Sequence, residues 1–134
     1  MFDVVLYQPE IPANTGNIVR LCANAGAGLD YHELAPITQH DSWQDCVRHF
    51  AGRRAFALST RAAGRYDRAR FQPGDVLVFG PETRGLPQAL IETFAPDRRL
   101  RVPMAGESRS INLANAVAIV LYEAWRQQGF GGNS

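Results

Sequence analysis

Val76-Leu77-Val78-Phe79-Gly80-Pro81-Glu82-Thr83-Arg84-Gly85-Leu86-Pro87 places four consecutive apolar residues directly against a glycine, a proline and a carboxylate. A strand with one wet face alternates polar and apolar side chains, so an unbroken run of this length reads as a strand covered on both faces. Gly80 then lets a backbone or a ligand come close where the strand ends. Pro87 suits a first helical turn and starts a short helix to about Phe94. Glu82 has two readings here: a carboxylate facing a ligand, or a negative charge set on the dipole of the helix that follows.

Working outward, Asp3-Val4-Val5-Leu6-Tyr7 and Ala55 to Leu58 are further short apolar runs that read as strands, as does Leu100-Arg101-Val102-Pro103-Met104, with another strand at Leu34 to Thr38. Helices alternate with them. One runs from about 15 to 25, capped by Asn14 or Thr15, with Ile18, Val19, Leu21, Cys22 and Ala25 at helical spacing and Gly26 as its C-terminal stop. Asp41-Ser42 opens a second, with Trp43, Cys46, Val47 and Phe50 on one face and Gly52 closing it. The last, from Ser110 to about Gly129, is apolar nearly all round and belongs between layers or in a subunit interface. This order predicts the α/β class, a parallel sheet covered on both faces, in a single domain spanning 1–134.

Fourteen basic and thirteen acidic residues leave a net charge of +1, and every basic residue is arginine. That balance excludes a polycation, and 46% apolar content excludes disorder. Between Arg48 and Arg70, seven arginines face one acid, Asp67; this stretch suits either a phosphate backbone or a solvated face. Cys22 and Cys46 lack the spacing of a disulfide framework or a zinc site and read as reduced, buried thiols. With no apolar run of membrane length and no leader pattern, a cytoplasmic protein without membrane contact is expected.

Ligands of open parallel sheets bind outside the carboxyl ends of the strands, here the loops from Gln8, Ser59, Gly80 and Met104. Ser108-Arg109-Ser110-Ile111-Asn112-Leu113-Ala114-Asn115 concentrates more polar side chains than one helix cap needs, and Asn112 and Asn115 share a helical face. Arg20 lies one helical turn beyond Gly16-Asn17. Gly26-Ala27-Gly28 is too weak a dinucleotide fingerprint, the three histidines have no metal-ligand spacing, and a phosphate loop would need a lysine.

Asn14-Thr15-Gly16-Asn17-Ile18-Val19-Arg20, Phe79 to Pro87, and Val102-Pro103-Met104 with Ser108 to Val117 together resemble the three ordered motifs of the SPOUT RNA methyltransferases, and within them the small bacterial tRNA ribose methyltransferases acting at wobble position 34 of leucine tRNAs. The likeness covers essentially the whole chain, including Tyr122-Glu123-Ala124-Trp125-Arg126. It implies a Rossmann-like sheet with a C-terminal deep trefoil knot, an exception to the rule against threaded chains. It further implies a homodimer packed through the C-terminal helix 110–128, and transfer of a methyl group from S-adenosylmethionine to the 2′-hydroxyl of a pyrimidine in a tRNA anticodon loop, with no metal. Carried over by position, the methyl-donor pocket falls on Leu58, Gly80, Val102, Met104, Ser110 and Leu113. The catalytic set falls on Arg20, Asn112 and Glu82, and RNA contacts fall on Arg84, Ser108 and Arg109.

A guanidinium is a poor proton acceptor. Arg20 either becomes desolvated enough to accept the proton, or holds the adjacent phosphate and stabilises the developing oxyanion, and the second role is favoured. One departure is large. The family has a further strand and a basic connecting segment between the helix ending near Gly26 and Gly28-Leu29-Asp30-Tyr31, and here Ala25-Gly26-Ala27-Gly28 joins the flanks directly. Two alternatives remain at this point: methylation of a ribosomal RNA ribose, and a non-catalytic RNA-binding module.

Overall fold

The computed structural model describes residues 2–30, 42–106 and 110–132. The strand expected at 34–38, the residue Asp41, and the loop residues Ser108 and Arg109 lie outside them. In chain order the elements are β1 (Asp3–Leu6), α1 (Pro12–Ala25), β2 (Gly28–Asp30), α2 (Trp43–His49), β3 (Ala55–Leu58), β4 (Gly64–Arg65), β5 (Val76–Phe79), α3 (Gln88–Ile91), β6 (Arg99–Arg101) and α4 (Leu113–Gln127). Among the described residues six strands form one sheet in the order β2-β1-β5-β3-β6-β4, and each of these pairings is parallel.

The period of two sorts the core into two layers. Val4, Leu6, Phe56, Leu58, Leu77 and Phe79 pack with Ile18 and Cys22 of α1 and with Leu113, Val117, Val120 and Leu121 of α4. Val5, Ala57, Val76 and Val78 face the other way, against Cys46 and Phe50 at α2 and Leu90, Ile91 and Phe94 at α3. Both faces of the central strands are therefore covered, as their unbroken apolar runs predict.

Four expectations are corrected. Helix α1 begins at Pro12, three residues early, because a proline at N1 has no amide to lose; Asn14 and Thr15 are not its caps but sit buried inside its first turns. Strand β6 stops at Arg101, short of Met104, because Pro103 has no N–H for the ladder. Helix α4 begins at Leu113, not Ser110, since Asn112 is its N-cap and accepts from the Asn115 amide; Asn112 and Asn115 therefore do not share a helical face. Its apolar character is also less complete: Leu113, Val117, Val120, Leu121 and Ala124 are buried, whereas Ala118, Ile119 and Tyr122 on another face are half-buried. At the direct junction after α1, Gly26 adopts left-handed geometry and the three residues Gly28–Asp30 supply the strand that pairs with β1.

The arginine-rich stretch is largely tied into the fold. Arg53 pairs with Asp3 and donates to the Gly74 carbonyl, and Arg54 pairs with the buried Asp75. Arg48 pairs with Asp45, and Arg65 with Asp67. The first two pairs sit where β1, β3 and β5 begin, at the end of the sheet away from the loops described next.

Candidate methyl-donor cleft

A cleft of about 200 Å³ opens over the carboxyl ends of β5, β3 and β6. Its walls come from Leu58 to Thr60 at the end of β3, Phe79 to Gly85 at the end of β5, Val102 and Met104 after β6, and Ser110, Ile111, Leu113 and Ala116 at the entry of α4; Asn112 is not among them. All six residues expected in the donor pocket, Leu58, Gly80, Val102, Met104, Ser110 and Leu113, line it, as do Glu82 and Arg84. Ser59 and Thr60 line it too; only their position past a strand end pointed to them.

The β5 loop owes its shape to Gly80. A side chain there would collide with the backbone of Gly85 and Leu86, which folds back across the strand end, and Gly85 turns the corner at φ +68° while its amide donates to the Pro81 carbonyl at 2.9 Å. The cleft thus presents aliphatic walls beside a row of backbone groups, a donor set that suits an adenosine and offers no phosphate-binding lysine. The residues present suit S-adenosylmethionine: Leu58, Val102 and Leu113 would offer apolar surface to a purine, and backbone groups at Gly80 and Met104 would be available to hydrogen-bond it. Among the described residues no group of His, Cys, Asp or Glu is arranged to hold a metal ion.

Glu82 does not serve the helix that follows it. Its carboxylate reaches across to the N-terminus of α1, accepting from the Glu10 amide at 2.8 Å, the Ile11 amide at 2.8 Å and the Asn14 side-chain amide at 3.4 Å. Helix α1 has no cap of its own, because its N-cap position is Ile11 and its first residue is a proline. Glu82 supplies that cap from a residue 71 positions away. Burial opposes ionisation of Glu82, but the hydrogen bonds to its charged form outweigh it and hold the carboxyl below its usual range.

Asn14 passes the connection on. Its side-chain oxygen accepts from the Asn112 amide group at 2.9 Å, so Glu82, Asn14 and Asn112 form one chain of hydrogen bonds joining the β5 loop, α1 and the start of α4. Glu82 and Asn112 are thereby brought together, with the buried Asn14 as the member that the misplaced helix start concealed. Arg20 is not part of this group. It is exposed on α1, is not among the residues lining the cleft, and among the described residues makes no hydrogen bond or ion pair. Arg84 is exposed at the rim, donating to Gln8 Oε1 at 3.3 Å and lying 3.8 Å from Glu10. Gln8 itself holds a positive φ of 47°, an uncommon conformation for a side-chain-bearing residue and one that collects at functional sites.

The model of the SpoU rRNA methylase family matches residues 25–122. The chain belongs to that family. A curated tRNA (cytidine(34)-2'-O)-methyltransferase of Methylovorus glucosotrophus is 51% identical to this SpoU chain, covering 98% of it and 99% of the relative. The alignment runs over 152 positions, 18 more than the 134 residues present here. A solved structure described as giving insight into the 2-OH methylation of C/U34 on tRNA superposes with a TM-score of 0.87 at 38% identity, covering 96% of this chain and 91% of its own. An AdoMet-bound rRNA methyltransferase from Sinorhizobium meliloti superposes at 0.78 with 27% identity, over 93% of this chain and 56% of its own.

Proposed function

We propose that this SpoU methyltransferase methylates the ribose 2′-hydroxyl of the pyrimidine at wobble position 34 of tRNA, with S-adenosylmethionine bound in the cleft over β3, β5 and β6. The observation that carries the reading is the convergence of all six expected donor-pocket residues on one cleft, in a chain 51% identical to a tRNA (cytidine(34)-2'-O)-methyltransferase over nearly its full length. Bound there, the donor supplies an electrophilic methyl group. The chain's own part is to hold it between aliphatic walls, exclude water, and bring the ribose hydroxyl into line. Arg20 contacts the phosphate beside the target ribose and stabilises the oxyanion that forms as the hydroxyl proton passes to solvent water; the methyl–oxygen bond forms as the methyl–sulfonium bond breaks, leaving the thioether product. Arg84, with Ser108 and Arg109, contacts the anticodon stem-loop.

Four finer features complete the reading. The substrates are leucine tRNAs in the cytoplasm. The C-terminal part of the chain is threaded as the deep trefoil knot of SPOUT enzymes. The protein is a homodimer through α4, a role supported by the half-buried Ala118, Ile119 and Tyr122. The family's additional strand and basic segment are missing between Gly26 and Gly28, a reading supported by an alignment to the Methylovorus relative that is longer than this chain.

The test is methylation of unmodified tRNA by the purified protein, read by mass spectrometry of nuclease fragments. A methyl group on the ribose of nucleotide 34 is expected. Methylation confined to ribosomal RNA, or RNA binding without methyl transfer, would overturn the reading.

A further inference from the structure

Glu10 and Glu82 bind each other's loops. While Glu82 accepts the amides of Glu10 and Ile11, Glu10 Oε1 accepts the Thr83 amide at 2.9 Å and the Thr83 hydroxyl at 2.7 Å. Two carboxylates thus join the loop that wraps the cleft to the first turn of the helix that carries Arg20, through four short hydrogen bonds between segments more than 70 residues apart. Glu82 uses both of its oxygens on backbone amides, and Glu10 uses one oxygen on an amide and a hydroxyl.

We propose that Glu10 is a positioning residue of the methyl transfer: with Glu82 it forms a reciprocal clamp that fixes α1, and therefore Arg20, against the loop that holds the methyl donor. The clamp rests on the role given to Arg20 above. Glu10 lies on the Thr83 side of the junction, with its second oxygen 3.8 Å from Arg84 at the rim. The two carboxylates differ in what they tolerate. Glu10 makes both bonds through one oxygen, so a glutamine can keep them; Glu82 uses both oxygens, so a glutamine amide would oppose a backbone N–H.

The experiment is a mutant cycle in single-turnover methylation of tRNA at saturating donor, with folding checked by thermal melting. Glu10→Ala is expected to slow turnover on the order of tenfold to a hundredfold, as small misplacements of catalytic groups do, with Glu10→Gln restoring most of the rate. In an Arg20→Ala background, Glu10→Ala should have no further effect, because a positioning residue acts through the group it positions. If Glu10→Ala fails to fold, Thr83→Val, which removes only the hydroxyl bond, serves as the milder variant with the same expected dependence on Arg20. Equal slowing in both backgrounds, or wild-type turnover in Glu10→Ala, would overturn the clamp while leaving Arg20 as assigned; wild-type turnover in Arg20→Ala alone would overturn the Arg20 role and the clamp with it.

Discussion

At the scale of single residues the site depends on a few side chains whose chemistry is fixed by their neighbours. Glu82 is ionised because four polar groups prefer its charge, and its carboxyl lies below the usual 4.5. Its contribution to stability is therefore complete above about pH 4.5 and is lost as pH falls through the lower folded value. Glu82→Gln should lower stability by about 1–2 kcal/mol at pH 7, a deficit that shrinks on acidification, as urea melts of both proteins at pH 7 and pH 3.5 would show. Gly80 is constrained differently: Gly80→Ala pushes a methyl into the Leu86 amide and should abolish donor binding measured by calorimetry, with a loss of stability of about 1–3 kcal/mol from the displaced loop. Burial, and then the negative charge of Asp3, push the Cys22 thiol up to about 12, so it stays protonated and unreactive. The cysteines were legible as buried thiols from spacing alone. The Glu82 contact was not, because a residue 71 positions away in sequence supplies the cap, and no local pattern encodes that.

Among the elements, strands β3 and β5 match their sequence-based bounds residue for residue, since a short apolar run between turn-forming residues has one way to pack. Helix starts were less legible. The first helix reads from about residue 15, yet Pro12 begins α1, and the polar cluster before α4 contains both the cap and its tether to Asn14. Asn112→Ala removes that cap and leaves Asn14 short of a partner; a loss of about 1–2 kcal/mol is expected in thermal unfolding, together with weaker donor binding because the α4 entry lines the cleft. The knot was carried in by family likeness rather than by periodicity, which describes elements and is silent on how the chain passes between them.

For the whole molecule, net charge misleads and placement decides. Of the seven arginines between 48 and 70, Arg53 and Arg54 hold Asp3 and Asp75 at the far end of the sheet. Arg53→Ala should cost about 2 kcal/mol by leaving a largely buried carboxylate unpaired, with the salt dependence of tRNA binding unchanged. Arg84→Ala, at the cleft rim, should instead leave stability within about 0.5 kcal/mol of wild type and weaken tRNA binding with a shallower salt slope. A homodimer through α4 should elute at twice the 14.8 kDa of the chain. All of these effects converge on one chemical outcome, and the most direct measurement is fragment mass spectrometry of tRNA incubated with the protein and isotopically labelled S-adenosylmethionine: label on the ribose of nucleotide 34, formed far more slowly with Arg20→Ala, is the expected result, and unlabelled tRNA with the wild-type protein would contradict it.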